Sequence, residues 1–299
     1  MFTLVVSNRK GGTAKTTTAV NLAAEYAHQG YRSLLIDLDA QGHSGIGLGF
    51  QPLHESARPQ SILANGRQTL QNLLHETRFE NLFYIAPGNI NEKQTLQAER
   101  LHRFLSRKQL AASFDIVIID TPPHAGIEQT ASLMAADGLI IPFLPSPLGK
   151  AGVQQLISDL KNIKPMNGKK TISYGLIPIM MDTRVNLDKQ ILSDLIAEHG
   201  SEKLLRGVRR NVKLAEAFDA GEPVNVFAAR SRGAFDYHML AEDIAGLWPA
   251  ISSGQSPLSF REKAQVSTFP AQRRKEKPAN TSENHRGIRL KDRCVQWNS

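Results

Sequence analysis

Short unbroken apolar blocks alternate along this chain with longer segments of helical period. The blocks predict strands near residues 3–7, 33–38, 82–86, 115–120, 137–143 and 172–179, and the periodic segments predict helices near 15–28, 68–76, 92–111, 126–135, 149–163, 186–198 and 238–251. Strands that are apolar on both faces belong in parallel sheets covered by helices, because there neither face meets water. The expected fold is therefore α/β, a mostly parallel twisted sheet flanked by helices on both faces. Segment 51–67, with Pro52, Pro59, Ser61 and Gly66, reads as a loop or short helix over the sheet edge. Residues 1–253 read as one domain ending at Ser252-Ser253-Gly254, and residues 254–299 as a basic tail.

The turns that follow three of these strands carry chemistry. The first strand runs into Arg9-Lys10-Gly11-Gly12-Thr13-Ala14-Lys15-Thr16-Thr17 and then into a helix. Small residues there let backbone N–H groups curl around polyphosphate oxygens, Lys15 supplies a point charge, and the Thr16 hydroxyl is a ligand for Mg²⁺. The strict pattern G-x-x-x-x-G-K-[ST] asks for glycine where Arg9 and Ala14 stand. The competing reading is a glycine-rich turn with two surface lysines. Asp37 and Asp39 close the run SLLIDLD, and Asp120 closes FDIVIID before a stiff Thr-Pro-Pro turn. Carboxylates at strand carboxyl ends point into the ligand crevice of an open α/β sheet. One placed there can hold Mg²⁺ through water, since that ion dehydrates reluctantly. The alternative is a set of solvated strand-end acids.

Lys10-Gly11-Gly12-Thr13-Ala14-Lys15-Thr16 resembles the deviant phosphate loop, K-G-G-x-x-K-[ST], of the ParA/MinD family of P-loop ATPases. Further blocks are similar to that family: Asp37 to His43, with Ala40 and His43 where Pro and Asn are frequent; Phe114 to Pro123; Met181 to Leu187; Val208 to Ala217; and Arg230 to Glu242. The resemblance implies a P-loop NTPase fold of the SIMIBI type, ATP and Mg²⁺ as cofactors, and a weak ATPase activity raised by a partner. It implies that Gly11, Gly12, Thr13, Ala14, Lys15, Thr16 and Thr17 line the phosphate loop. Lys10 would reach across a homodimer to the partner's nucleotide. Asp39 would position the attacking water and face the metal, with Asp37 in support. Asp120 would hold Mg²⁺ together with Thr16, Thr121 to Gly126 would form a switch loop, and Asp182 would pack on the adenine. The same resemblance implies non-specific DNA binding through Arg206, Arg209, Arg210, Lys213, Arg230 and Arg232. It further implies a ParB-like or cargo-adaptor partner, and a plasmid, chromosome or microcompartment as cargo.

Charge and cysteine usage narrow the picture. The chain of 299 residues is 41% apolar, enough for a sizeable core. Cys294 is the single cysteine, which excludes a disulfide framework, a cysteine-built zinc site or an iron–sulfur cluster held by one chain. The first apolar run passes directly into Asn8-Arg9-Lys10 and does not read as a signal peptide. No stretch approaches the roughly 18–20 apolar residues of a membrane span, so a cytoplasmic protein is expected, and the family resemblance implies one associated with the nucleoid. With the first strand beginning near residue 3, no helix-turn-helix extension precedes it, and operator binding is not expected. Residues 254–299 hold ten Lys and Arg against four acids, so +6 of the net +8 lies there. Rich in Ser, Pro, Asn and Gln, that tail is expected to be disordered and suited to polyanions, or else to serve only solubility. A MinD-like membrane switch is the alternative function. It would need an amphipathic C-terminal helix, but Ile288, Leu290, Val295 and Trp297 make no continuous stripe.

Overall fold

Residues 2–6, Phe-Thr-Leu-Val-Val, are buried at every position, as are Ser33–Asp37, Ile116–Asp120 and Gly138–Phe143. Such strands have no polar face to offer water, and the chain covers both faces with helices. The computed structural model describes residues 1–52, 54, 58–64, 69–89, 95–168, 170–182 and 184–253. In order the elements are β1 (Phe2–Val6), α1 (Lys15–His28), β2 (Ser33–Asp37), α2 (His43–Gly47), α3 (Leu70–Leu73), β3 (Leu74–Glu76), β4 (Leu82–Ile85), α4 (Glu99–Leu105), α5 (Lys108–Ser113) and β5 (Ile116–Asp120). There follow α6 (Ile127–Ala135), β6 (Gly138–Phe143), α7 (Pro147–Leu160), β7 (Tyr174–Met181), α8 (Asn186–His199), a 3₁₀ turn at Ser201–Lys203, β8 (Val208–Arg209), α9 (Val212–Asp219), α10 (Val224–Phe227), α11 (Arg232–Leu247) and α12 (Ala250–Ser253).

The sheet order is β3-β4-β2-β5-β1-β6-β7-β8, parallel throughout except for the β3–β4 edge pair. Alternation along each strand divides the core in two. Leu4, Val6, Ile116 and Ile118 join α1 and α11 on one face, and Val5, Val117 and Ile119 join residues of α4, α6 and α7 on the other. Register then fixes the site. Val6 pairs with Asp120 and Asp120 with Asp37, so the carboxyl ends of β1, β5 and β2 finish level with one another.

The predicted strands all form, within a residue or two at their ends. The helices depart more. The helix expected over 68–76 is one turn, α3, followed at once by β3 on the antiparallel edge; the β-type backbone of Leu74 ends it. The helix expected over 92–111 has residues 92–94 outside the described set. Its remainder is broken into α4 and α5 at Ser106-Arg107, where Arg107 turns extended at φ −66°, ψ 132°. The helix expected over 238–251 starts earlier, at Arg232, because Ser231 caps it by accepting from the Ala234 N–H, and it stops before Trp248. In segment 51–67, residues 53, 55–57 and 65–67 lie outside the described set, and the others form no helix; Gln60 bridges to Asn89 and Ala64 to Leu96. The expected tail, 254–299, and the residues on which the membrane reading rests also lie outside the described set. Among the described residues no helix is long and apolar enough to cross a membrane.

Candidate functional site

The loop between β1 and α1 is built around two left-handed residues, Gly12 at φ 72° and Ala14 at φ 53°. Glycine takes that conformation freely, whereas for alanine it costs roughly 1–2 kcal/mol. Ala14 is the residue that opens α1, and no side chain caps the helix there, while α7, α9 and α11 are capped by Ser146, Asn211 and Ser231. The first N–H groups of α1 are therefore left for a ligand, and the helix dipole favours an anion at that point. A methyl group on Gly11 or Gly12 would meet nothing within 4 Å, so the cradle stands open. Inside it, Lys15 is 7% exposed and its Nζ donates to the Lys10 carbonyl at 2.9 Å, an oxygen that also accepts from Thr13 Oγ1 at 3.2 Å. Burial lowers the Lys15 pKa, and the charges of Asp120 and Asp39 oppose that shift.

The three carboxylates divide their roles by depth. Asp37 and Asp120 are fully buried, and Asp39 is half-buried at the rim. Asp37 accepts from the N–H groups of Asp39 at 2.9 Å and Ser44 at 3.2 Å, so it holds the loop that carries Asp39. Burial first, and the Asp120 charge second, raise the Asp37 pKa well above the carboxylate range. Asp120 Oδ2 accepts from Ser44 Oγ at 2.8 Å, while its Oδ1 is buried with no hydrogen-bond partner among the described residues. Burial pushes the Asp120 pKa up to about 6, against the nearby Thr16 and Ser44 hydroxyls and the Lys15 charge.

Gly11, Gly12, Thr13, Ala14, Lys15 and Thr16 line one cavity of about 500 Å³ together with Asp39, and Pro122, Pro123 and His124 of the expected switch loop also face it. Thr17 is the next residue of α1, and Asp120 lies beneath, at the end of β5. Lys10 does not line this cavity. Its side chain runs along α7, where a methyl on Gly152 would stand 3.4 Å from Lys10 Cγ. Asp182 is also outside it, one residue beyond β7, where its carboxylate pairs with Arg184 at 2.7 Å and is held well below the usual range. The six expected DNA-binding cations separate into two groups. Arg209 forks onto Asp236, which is 3% exposed, and so ties β8 to α11; Arg206 pairs with Asp243 at 3.5 Å and Lys213 with Glu216 at 2.6 Å. Arg210, Arg230 and Arg232 are exposed and form no ion pair among the described residues. They surround one corner, because Gly233 packs on Leu214 and Asn211 and so joins the start of α11 to the start of α9.

A family model described as an AAA domain matches residues 1–173. The chain is 33% identical over 248 residues to the chromosome-partitioning ATPase Soj of Treponema pallidum, covering 81% of this chain and 96% of that protein. It is 31% identical over 246 residues to the chromosome partitioning protein ParA of Myxococcus xanthus, covering 81% and 87%. The chain belongs to the ParA/MinD family of ATPases. Its fold is that of the septum site-determining protein MinD from Pyrococcus horikoshii, solved with Mg-ADP: TM-score 0.67, 20% identity, 82% of this chain and 96% of that one.

For a ParA/MinD-family ATPase the cradle and the acids fit a magnesium-bound nucleotide. Among the described residues no group of three His, Cys, Asp or Glu side chains could hold a metal unaided. Asp120 Oδ1 is a buried carboxylate oxygen without a hydrogen-bond partner among the described residues, close to the Thr16 hydroxyl. Ser44 and Tyr84, which reasoning from the sequence did not single out, complete this ParA-type site. Ser44 joins Asp37 to Asp120, and Tyr84 Oη donates to Asp37 Oδ2 at 3.4 Å.

The raised Asp120 pKa has a measurable consequence. The folded carboxyl keeps its proton to about pH 6, whereas the unfolded one releases it near the ordinary value of 3.8. The native state therefore binds more protons in that window, and stability falls as pH rises through it. Asp120→Asn is expected to stabilise the nucleotide-free protein by on the order of 2 kcal/mol at pH 8 and hardly at all at pH 4, read by urea unfolding at both pH values. An equal gain at both would show that the carboxylate's charge is not what burial opposes.

Proposed function

We propose that this ParA/MinD-family ATPase closes as a homodimer around Mg-ATP, binds DNA without regard to sequence, and positions or segregates a cargo when an adaptor protein stimulates hydrolysis. The observation that carries the reading is the uncapped start of α1 with a buried Lys15 held between Lys10, Asp39 and Asp120. Phosphoryl transfer to water asks the protein for positioning and charge neutralisation more than for covalent chemistry. Lys15 and the N–H groups of Gly11 to Thr16 would hold the phosphates, Thr16 and Asp120 the metal, and Asp39 the attacking water. When bound, Mg²⁺ supplies charge neutralisation at the phosphate oxygens. Asp37 and Ser44 keep the two working carboxylates in place.

Lys10 supports the dimer reading because it leaves its own subunit's cavity, and its stem lies along Gly152 of α7. Lys10→Ala is expected to keep Mg-ATP affinity of the monomer within about twofold and to lose dimerisation with a non-hydrolysable ATP analogue and magnesium, measured by light scattering. A variant that dimerises as the parent does would remove the cross-subunit role.

The DNA reading rests on Arg210, Arg230 and Arg232, exposed cations that form no ion pair among the described residues. Guanidinium groups grip phosphate without reading bases, and each contact adds to the salt dependence of binding. Changing these three to alanine together is expected to weaken DNA retention and to flatten the log–log salt dependence by roughly 3 units. Arg209→Ala is instead expected to cost about 1–3 kcal/mol of stability by leaving Asp236 buried without its partner. An unchanged salt slope in the triple variant would place the DNA surface elsewhere. The basic tail, as a separate segment from 254 onward, fits the same polyanion, and its removal would show as a further loss of slope.

A further inference from the structure

Beside the nucleotide cradle lies a second cavity, of about 490 Å³, that shares Gln41 and Pro87 with it. That volume falls in the range of sites for small organic molecules. Three rings form its wall: Phe50 and Tyr84 lie 5.2 Å apart between centroids, and Phe50 and His75 5.8 Å apart, and Ile46, Leu48 and Ala86 also line it. We propose that this cavity binds a neutral, planar, ring-bearing small molecule, and that its occupancy is felt by the nucleotide cradle.

The chemistry of the lining selects that class of ligand. Offset stacking on Phe50 and Tyr84 favours a flat ring. The cations at the rim are already engaged: Arg78 pairs with Glu222 at 3.1 Å and donates to the Gly221 carbonyl, and Arg58 donates to the Ala40 carbonyl at 2.7 Å. Burial holds the His75 imidazole below its ordinary pKa, and Glu76 in the wall disfavours an acid. An anionic ligand would thus lose its hydration without gaining a free counter-ion, and a neutral ring loses the least on entering.

The connection to the cradle runs through Tyr84. Its ring faces the cavity and its hydroxyl donates to Asp37 Oδ2 at 3.4 Å. Asp37 in turn holds the N–H groups of Asp39 and Ser44, and Ser44 holds Asp120. Tyr84 also has little room to shift against α2, since a methyl on Gly45 would stand 2.8 Å from its hydroxyl oxygen. A molecule packed on Tyr84 braces that contact and, through Asp37 and Ser44, steadies Asp120, the carboxylate proposed to hold the metal. Occupancy therefore tightens Mg-ATP binding, and Mg-ATP tightens the ligand by the same factor. Only this coupling rests on the nucleotide reading; the cavity itself does not.

The test uses the full chain and Prodan, a neutral naphthalene dye that brightens and shifts to the blue in apolar surroundings. Without nucleotide, saturable one-to-one binding is expected. Gln51→Trp at the exposed rim and Ala86→Phe in the wall are each expected to weaken it by about tenfold or more while thermal unfolding stays near the parental temperature. Tyr84→Phe is expected to keep dye binding and to lose the effect on Mg-ATP affinity, which in the parent is about fivefold or more. No saturable binding by the parent, or parental binding by Gln51→Trp, would overturn the site as an adventitious surface association. Dye binding that leaves Mg-ATP affinity unchanged would overturn the coupling. A parent protein that binds no Mg-ATP would overturn the nucleotide reading, and the dye titration would still decide the cavity.

Discussion

Lys15→Ala is expected to lower affinity for Mg-ATP by ~100-fold or more, the largest single effect in the molecule. Truncating one partner of a buried, hydrogen-bonded charge group costs about 2–5 kcal/mol, and each 1.4 kcal/mol is a factor of ten. Lys15 is such a group: it is buried, it donates to the Lys10 carbonyl, and it is the cation that faces Asp39 and Asp120 at the mouth of the cradle. The check is a thermal-shift titration. Nucleotide at about 100 times its dissociation constant stabilises by ~2.7 kcal/mol, which for a domain of this size raises the melting temperature by about 5–10 °C. The parent should show that rise, and Lys15→Ala should show none. Lys15→Met, which keeps the volume of the side chain, guards against a loss that reflects misfolding. A parental shift in both variants would mean that the phosphates are held elsewhere.

Asp39→Ala is expected to keep Mg-ATP binding and to lose hydrolysis by about 100-fold or more, in the range for a positioned acid–base group. The geometry separates the two effects. Asp39 stands half-buried at the rim, its Oδ1 accepting from the Gln41 N–H at 3.0 Å, while the phosphate cradle is built from other residues. Under the proposed cycle the variant should therefore persist as an ATP-bound dimer on DNA. Phosphate release measured with and without DNA decides the matter, and turnover at the parental rate would strip Asp39 of its role.

The nucleotide cradle was legible in the sequence because its parts are local. Gly11, Gly12, Lys15 and Thr16 fall within six residues, and a strand and a helix flank them by their own periodicity. Asp37 and Asp120 were legible for a similar reason, since each ends an apolar run, and sheet register then sets them opposite one another. What escaped has its cause in contacts far apart along the chain. Ser44 sits in a glycine-rich turn with nothing nearby in sequence to mark it, and it acquires its role from Asp120, 76 positions away. Arg209 reads like its neighbour Arg210, and only the packing of α11 against β8 brings Asp236 beneath it. The short helices α2, α9 and α10 were missed because five, eight and four residues are too few to show a period. The second cavity joins side chains from α2, β3 and β4, and no stretch of sequence contains it.

Ala14 has a consequence for where the work of ordering the phosphate loop is done. A glycine in that left-handed position would roam through many backbone states, and an arriving ligand would have to still it. Alanine has fewer states to lose, so the loop arrives already shaped, and the strain is met once, when the chain folds, instead of at every cycle of capture and release.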